Sequence, residues 1–280
     1  MKNNTSTLAL CFSIILLIIS KQAVAFPKND LKPGGVAVIN VAPATHNKPK
    51  VSYKENRVAL VKGRQNWLAI VGVSLKAKTG SHSVKIVDSK GKASYKSFRV
   101  RNHQYRTQRL TIRNKNKVNP NKKSKQRIQR EYLLKKRLQK TYSPTQAHLN
   151  FMRPIAGGRD SGRFGLKRIL NKQKRNPHSG MDIAAPRGRS VKATESATVL
   201  YVGDLFFTGK VVYLDHGNGV LSLYAHLSKT NVKKGQKVKR GAIIGKVGST
   251  GRATGPHLHW SVYLNGNTVD PALFLPHKSK

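Results

Sequence analysis

The residues best placed to do chemistry are two histidines separated by a single leucine, in Gly255-Pro256-His257-Leu258-His259-Trp260. The run continues Ser261-Val262-Tyr263-Leu264 and reads as a β-strand. Side chains alternate faces along a strand, so His257 and His259 share one face while Leu258 takes the other. Two imidazoles on one face suit a metal ligand beside a group that handles protons. An isolated pair of this kind is more often two polar residues on the wet side of a strand, so the balance turns on ligands elsewhere. His178-Ser179-Gly180-Met181-Asp182 supplies them: a histidine and a carboxylate four apart, able to converge on one ion where the chain bends through Ser179-Gly180. With His259 they form a two-histidine, one-aspartate set that leaves a position for water, the donor pattern of catalytic zinc.

The elements that must position these residues are mostly strands. Between residues 151 and 276, the stretches 191–194, 198–203, 210–215, 220–225, 232–238 and 242–247 are strand-like. His216-Gly217-Asn218-Gly219 sits between two of them as a hairpin signal. Gly248-Ser249-Thr250-Gly251 lacks the Gly-Lys-Ser/Thr ending of a phosphate-binding loop. Residues 26–50 begin loosely, with one strand-like run at 36–41. From 51 to 113 short β runs alternate with turns, most clearly at 57–61, 67–73, 83–87 and 94–100, with a hairpin turn at 88–92. That spacing predicts a small β-sandwich, and no cluster of acids, histidines or nucleophiles marks it as more than a binding or spacer module.

Residues 114–142 change character, crowding lysine and arginine around a single acid, Glu131. Ile128, Tyr132, Leu134 and Leu138 fall near helical spacing, which predicts one amphipathic basic helix over 121–140. Its thin apolar stripe, without Trp or Phe, favours a connector packed on a neighbouring domain. Attachment to anionic envelope lipids or polymers is the second reading. The expected fold class is therefore mainly β: a C-terminal antiparallel β-sheet or flattened barrel, a small N-terminal β-sandwich and a basic connecting helix. The expected division is 1–25, 26–113, 114–150 and 151–276.

Residues 1–25 read as a cleaved export signal. Lys2 gives a positive start, residues 8–19 an apolar core, and Ala23-Val24-Ala25 a small-residue cleavage site. The apolar run is short for a membrane span. Cys11, the one cysteine in 280 residues, lies inside it, so the mature chain could form neither a disulfide nor a thiolate metal site. With 54 lysines and arginines against 10 acids the formal charge is +44, and loss of Lys2 and Lys21 leaves +42. Export directs so basic a chain towards envelope polyanions and away from nucleic acid.

His178-x3-Asp182, Tyr224-x-His226-Leu227 and Gly255-Pro256-His257-Leu258-His259 together resemble the M23 (lysostaphin/LytM-type) zinc endopeptidases, which cut peptide cross-bridges of peptidoglycan. The likeness spans residues 151–275 and takes in Pro177 through Pro186 and Val269-Asp270-Pro271. The preceding β-rich module and basic helix resemble proteobacterial periplasmic members. The resemblance implies one zinc per chain held by His178, Asp182 and His259. It makes His226 and His257 the catalytic histidines that are not ligands, with His257 as base and His226 on the tetrahedral oxyanion. It also implies peptidoglycan as substrate, the D-alanyl–diaminopimelate cross-link ahead of a pentaglycine bridge, and a periplasmic location. A non-catalytic LytM-type activator of cell-wall amidases is the alternative, disfavoured because all five motif residues are present. The Val-x-x-Gly rhythm of 232–247 is similar to lipoyl and biotinyl carrier barrels, but no modifiable lysine sits in a matching hairpin. Glu195 lies outside any His-Glu-x-x-His helix. His216, next to Asp215, is expected to be a turn residue ahead of a support behind the metal ligands, and His46, His82, His103, His148 and His277 surface histidines. Tyr201 and Tyr224 could line the cleft or simply pack.

Overall fold

The structure, a computed structural model, describes residues 27–276. The expected export signal, Cys11 and His277 lie outside the described residues. The first strands are β1 (Val36–Pro43), β2 (Lys50–Tyr53), β3 (Asn56–Arg57), β4 (Ala59–Lys62), β5 (Asn66–Gly72), β6 (Gly80–Val87) and β7 (Ala93–Val100). β8 (Thr107–Leu110) leads to the helix α1 (Lys122–Gln139). Then come β9 (Arg159–Gly162), β10 (Lys167–Leu170), β11 (Gln173–Arg175), β12 (Met181–Ala184) and β13 (Ser190–Lys192). β14 (Ala197–Leu205), β15 (Gly209–Asp215), β16 (Leu221–Thr230), β17 (Lys237–Val238), β18 (Ile243–Val247), β19 (His257–Leu264) and β20 (Asn267–Val269) complete the set.

The N-terminal strands form two sheets, β1-β5-β4 and β3-β2-β6-β7. Ala37, Val41, Leu60, Ala69 and Val71 of the first sheet pack on Val51, Tyr53, Val84 and Ile86 of the second, closing the expected sandwich. The opposite face of the first sheet is covered as well. Val36, Ala59, Val61 and Ile70 join the same core as Met181, Ile183, Leu258 and Trp260. Burial on both faces accounts for the continuously apolar sequence over β4 and β5, where a half-exposed strand would alternate. Asn265 fastens the contact further: its Oδ1 accepts from the Gly72 N–H at 2.6 Å and its Nδ2 donates to the Gly72 carbonyl at 3.1 Å.

The C-terminal part is a ten-stranded sheet whose main path runs β17-β14-β15-β16-β19-β12-β9, with β13, β18 and β20 attached off it. The path ends on β17 and β9 without joining, so the architecture is a flattened sheet rather than a closed barrel. The predicted hairpin between β15 and β16 is present, and Gly217, Asn218 and Gly219 all take positive φ there, as such a tight reversal requires. α1 begins where Asn121 caps it, Oδ1 accepting from the Ser124 N–H at 2.9 Å. Leu134 and Leu138 lie against Leu205, Val211, Tyr213 and Tyr263 on the outer sheet face, the connector packing expected of the apolar stripe. The small sheet β11-β10-β8 has no counterpart among the strands expected from the sequence. In it β8, from the segment before the helix, runs parallel to β10, from the segment after it.

Candidate metal centre

Strand pairing brings the metal-ligand candidates together. β12 and β19 are antiparallel neighbours in which Asp182 pairs with His259 and Ala184 with His257. On the other side of β19, Ala225 of β16 pairs with His259. Side chains at paired positions point to the same face, so Asp182, His257 and His259 emerge side by side while Met181, Ile183, Leu258 and Trp260 enter the core. His178 precedes β12 and is pinned through its backbone, its N–H bonding the Leu166 carbonyl at 2.9 Å and its carbonyl accepting from Gly165 at 2.8 Å. Gly180 lies so close to β19 that a Cβ there would stand 2.5 Å from the Trp260 carbonyl oxygen and 2.8 Å from Cε1 of His259.

Three donor atoms converge. His178 Nε2 lies 2.9 Å from Asp182 Oδ1 and 3.0 Å from His259 Nδ1, and His259 Nδ1 lies 2.8 Å from the same Oδ1. All three residues are buried. His178 Nδ1 is 2.8 Å from the Arg163 carbonyl, which can only accept, so the ring's proton is on Nδ1 and its Nε2 lone pair faces the cluster. His259 Nε2 has the Ser261 hydroxyl at 2.9 Å, which leaves Nδ1 to face inward. Burial alone would push the Asp182 carboxyl up, yet the adjoining His178 and His259 hold it well below the usual carboxylate range. Burial lowers His259 to about 4 despite its bond to Asp182. A carboxylate and two imidazoles aimed at one point is a donor set that a borderline-soft divalent cation fits, and the fourth side is bounded by histidines that are not part of the triangle.

His226 and His257 form that side. Their rings are 4.7 Å apart, and His257 Nε2 lies 3.9 Å from Asp182 Oδ1. Each ring is oriented by a backbone carbonyl: His226 Nδ1–H donates to Thr250 at 2.7 Å and His257 Nδ1–H to Gly255 at 2.8 Å. Both therefore turn an Nε2 lone pair to the site. His226 is reached by a bulge. Pairing of β15 with β16 shifts register between Lys210 and Val212, and His226 takes a φ of +61° that a non-glycine residue adopts only at a cost. Burial, and then the neighbouring His257 and His259, lower His226 to about 3, so it is neutral at ordinary pH.

Other expectations separate. His216 is no turn ornament: it is buried, with Nδ1 3.1 Å from the Ser196 carbonyl and Nε2 2.8 Å from Ser222 Oγ. Ser222 continues to the Tyr224 hydroxyl, which bonds Thr194, so Tyr224 is a packing residue of the core. Glu195 pairs with Arg240 at 3.6 Å. His46, His103 and His148 are exposed, and His82 is half-buried against Tyr53 with a 2.6 Å bond. One site residue escapes a reading of the sequence: Arg168 on β10 reaches Asp182 Oδ2 at 2.9 Å. It sits among many other cations, next to Lys167, and nothing in the spacing distinguishes it from them.

A buried His-Asp-His triangle on a sheet face, flanked by two oriented imidazoles, is a group that could hold a metal ion. Comparison with known proteins gives the family. Residues 176–271 match the model of peptidase family M23, and residues 29–103 match the N-terminal domain model of the same family. A crystal structure from Pseudomonas aeruginosa assigned to peptidase M23 superposes with a TM-score of 0.74 at 36% identity, over 88% of this chain and 95% of that one. The chain belongs to peptidase family M23. It is also 41% identical over 118 residues to the DD-carboxypeptidase/endopeptidase Mpg of Neisseria meningitidis, covering 42% of this chain and 27% of Mpg. Over 113 residues it is 42% identical to the peptidoglycan DD-endopeptidase ShyA of Vibrio cholerae, covering 40% of this chain and 26% of ShyA. The matched stretch thus spans about a quarter of the length of these curated relatives.

Proposed function

We propose that the chain is a zinc-dependent endopeptidase that hydrolyses peptide cross-links of peptidoglycan, acting in the periplasm after export. The observation that carries this reading is the convergence of His178 Nε2, Asp182 Oδ1 and His259 Nδ1 within 2.8–3.0 Å of one another, with two further histidines oriented beside them. These three would hold the ion. When bound, zinc supplies a water of lowered pKa and polarises the scissile carbonyl.

The remaining work falls to the chain's own side chains. His257, half-buried and with its Nε2 lone pair turned inward by the Gly255 carbonyl, takes the water proton and returns it to the leaving amine. His226 can offer an Nε2–H to the oxyanion only as an imidazolium, because its Nδ1–H is engaged by Thr250. Burial opposes that form in the resting site, and negative charge building up beside the ring restores it. Arg168, on the far oxygen of Asp182, fixes which oxygen faces the triangle. The D-alanyl–diaminopimelate bond is the proposed cross-link, in keeping with the named endopeptidase relatives. The presence of all five residues in one place supports the hydrolase reading over the amidase-activator alternative.

Residues 26–280 incubated with sacculi, with and without a chelator, test the reading by mass analysis of released peptides. Chelator-sensitive conversion of cross-linked dimers to monomers is expected. Release that is indifferent to chelation, or that occurs only when an amidase is added, would overturn it.

A further inference from the structure

Arg168 shares Asp182 with two histidines, and among the described residues Arg252 has no acidic partner. Arg168 touches Asp182 through Nη2, but its Nε is buried with no hydrogen-bond partner among the described residues. Arg252 stands two residues after Thr250, the residue whose carbonyl orients His226. Its guanidinium lies over the Phe207 ring, 4.5 Å from the centroid, and its Nη1 makes a long 3.4 Å contact to the Lys117 carbonyl. Burial, then Arg168 and Arg175, lower the Arg252 pKa to about 10, and no acid enters that balance. Arg175 is occupied differently, its Nη2 bonding the Val118 carbonyl at 3.0 Å.

A cavity of about 600 Å³ opens against Arg252. Arg113 and Lys117 share its lining with Thr111, Asn114 and Thr254, and the lining contains no acid. The acids on that side are already committed. Glu131 accepts from Arg127 at 2.6 Å and from the Phe206 N–H at 2.8 Å, and Asp204 lies 3.6 Å from Arg127. A half-buried guanidinium with cationic neighbours is unfavourable until an anion completes it. Its planar fork of donors matches a carboxylate.

We propose that Arg252, supported by the positive field of Arg168, binds a free carboxylate of the peptide being cut and selects cross-links that carry one beside the scissile bond. The proposal rests on the cross-link-hydrolase reading and names the substrate feature it recognises. In a D-alanyl–diaminopimelate link the carbon bearing the scissile nitrogen also bears a carboxylate. In a pentaglycine bridge it does not. Arg252 is thereby a specificity residue and takes no part in the bond-breaking step.

The test uses metal-loaded residues 26–280 and two uncleavable cross-link analogues in which a methylene replaces the scissile nitrogen. One has the neighbouring carboxyl free and the other has it as the carboxamide. Calorimetry is expected to show binding roughly tenfold tighter for the carboxylate, the size of a charge-assisted hydrogen bond. Arg252→Gln brings the two affinities together, and Arg252→Lys restores part of the difference. Equal affinity of the wild-type chain for both, no binding of either, or a preference that survives Arg252→Gln overturns the subsite. The cleavable parents, assayed alongside, judge the underlying reading separately: a carboxylate peptide that binds selectively but is never cut would sink the hydrolase assignment and leave the subsite standing.

Discussion

Asp182 and His259 are direct partners across two antiparallel strands, and Nδ1 of the histidine lies 2.8 Å from Oδ1 of the aspartate. The proposed ligand pair is therefore set by sheet register. A one-residue slip of either strand would send its ligand into the core and bring Ile183 or Leu258 to the surface. Because those two are fully buried in the largest core, the slip is opposed by the packing of the whole sheet.

Gly180 is where that packing has least slack. Gly180→Ala places a methyl group against the Trp260 carbonyl and the His259 ring. Overpacking of this kind costs about 1–3 kcal/mol. Urea unfolding of the metal-free variant should show that loss, and zinc titration should show weakened binding because the displaced ring is a donor. A variant that matches wild type in both would mean that β12 and β19 are not so closely apposed.

The bulge at His226 makes a separate prediction. His226→Ala and His226→Gly both remove the imidazole, but only glycine is at ease with a φ of +61°. The Gly variant should be about 1 kcal/mol more stable than the Ala variant, the reverse of their order in an ordinary strand. Chemical denaturation of the pair decides it; an Ala variant as stable as the Gly variant would show that the backbone carries no strain there.

Acid should loosen the fold through His216. Burial depresses its pKa from 6.5 to about 4, so between those values the unfolded chain binds a proton that the folded chain does not. Stability must then rise with pH in that window, by up to about 1.4 kcal/mol per pH unit from this one residue, and fall as the pH drops from 6.5 towards 4. His216→Gln should flatten the dependence by about one proton. An unchanged slope in urea titrations over that range would remove His216 from the account.

His257 should separate chemistry from metal binding. Its Nε2 is 3.9 Å from Asp182 Oδ1, outside the triangle of donors. His257→Ala is expected to lower kcat on cross-linked muropeptides by about 10²–10⁴, the usual contribution of a general base, with zinc content unaltered. Loss of zinc together with activity would instead make it a ligand.

The chemistry of this chain is more legible in its sequence than the scaffold is. His178, Asp182, His226, His257 and His259 stand out because histidines and an aspartate at these spacings suit a metal site far better than a wet strand face, and the structure brings them within one cluster. The helix and the Asn218 hairpin are visible through their own local signals. β8, β9 and β10 are not: Arg159-Asp160-Ser161-Gly162 has no alternation to read and becomes a strand by pairing with β12. His216 reads as a turn residue because Gly217-Asn218-Gly219 follows it, whereas its ring is drawn inward by Ser196 and Ser222. Arg168 and Arg252 cannot be told from the many surface cations of so basic a chain until the fold places the first beside Asp182 and the second over Phe207.

The most direct test of the account is metal content. Residues 26–280 purified in the presence of zinc, desalted and analysed by plasma mass spectrometry should carry about one zinc per chain. Asp182→Ala and His259→Ala should each carry almost none while retaining the β-rich circular dichroism of the wild type. A wild-type chain without bound zinc, or variants that keep it, would contradict the assignment of His178, Asp182 and His259 as the metal centre.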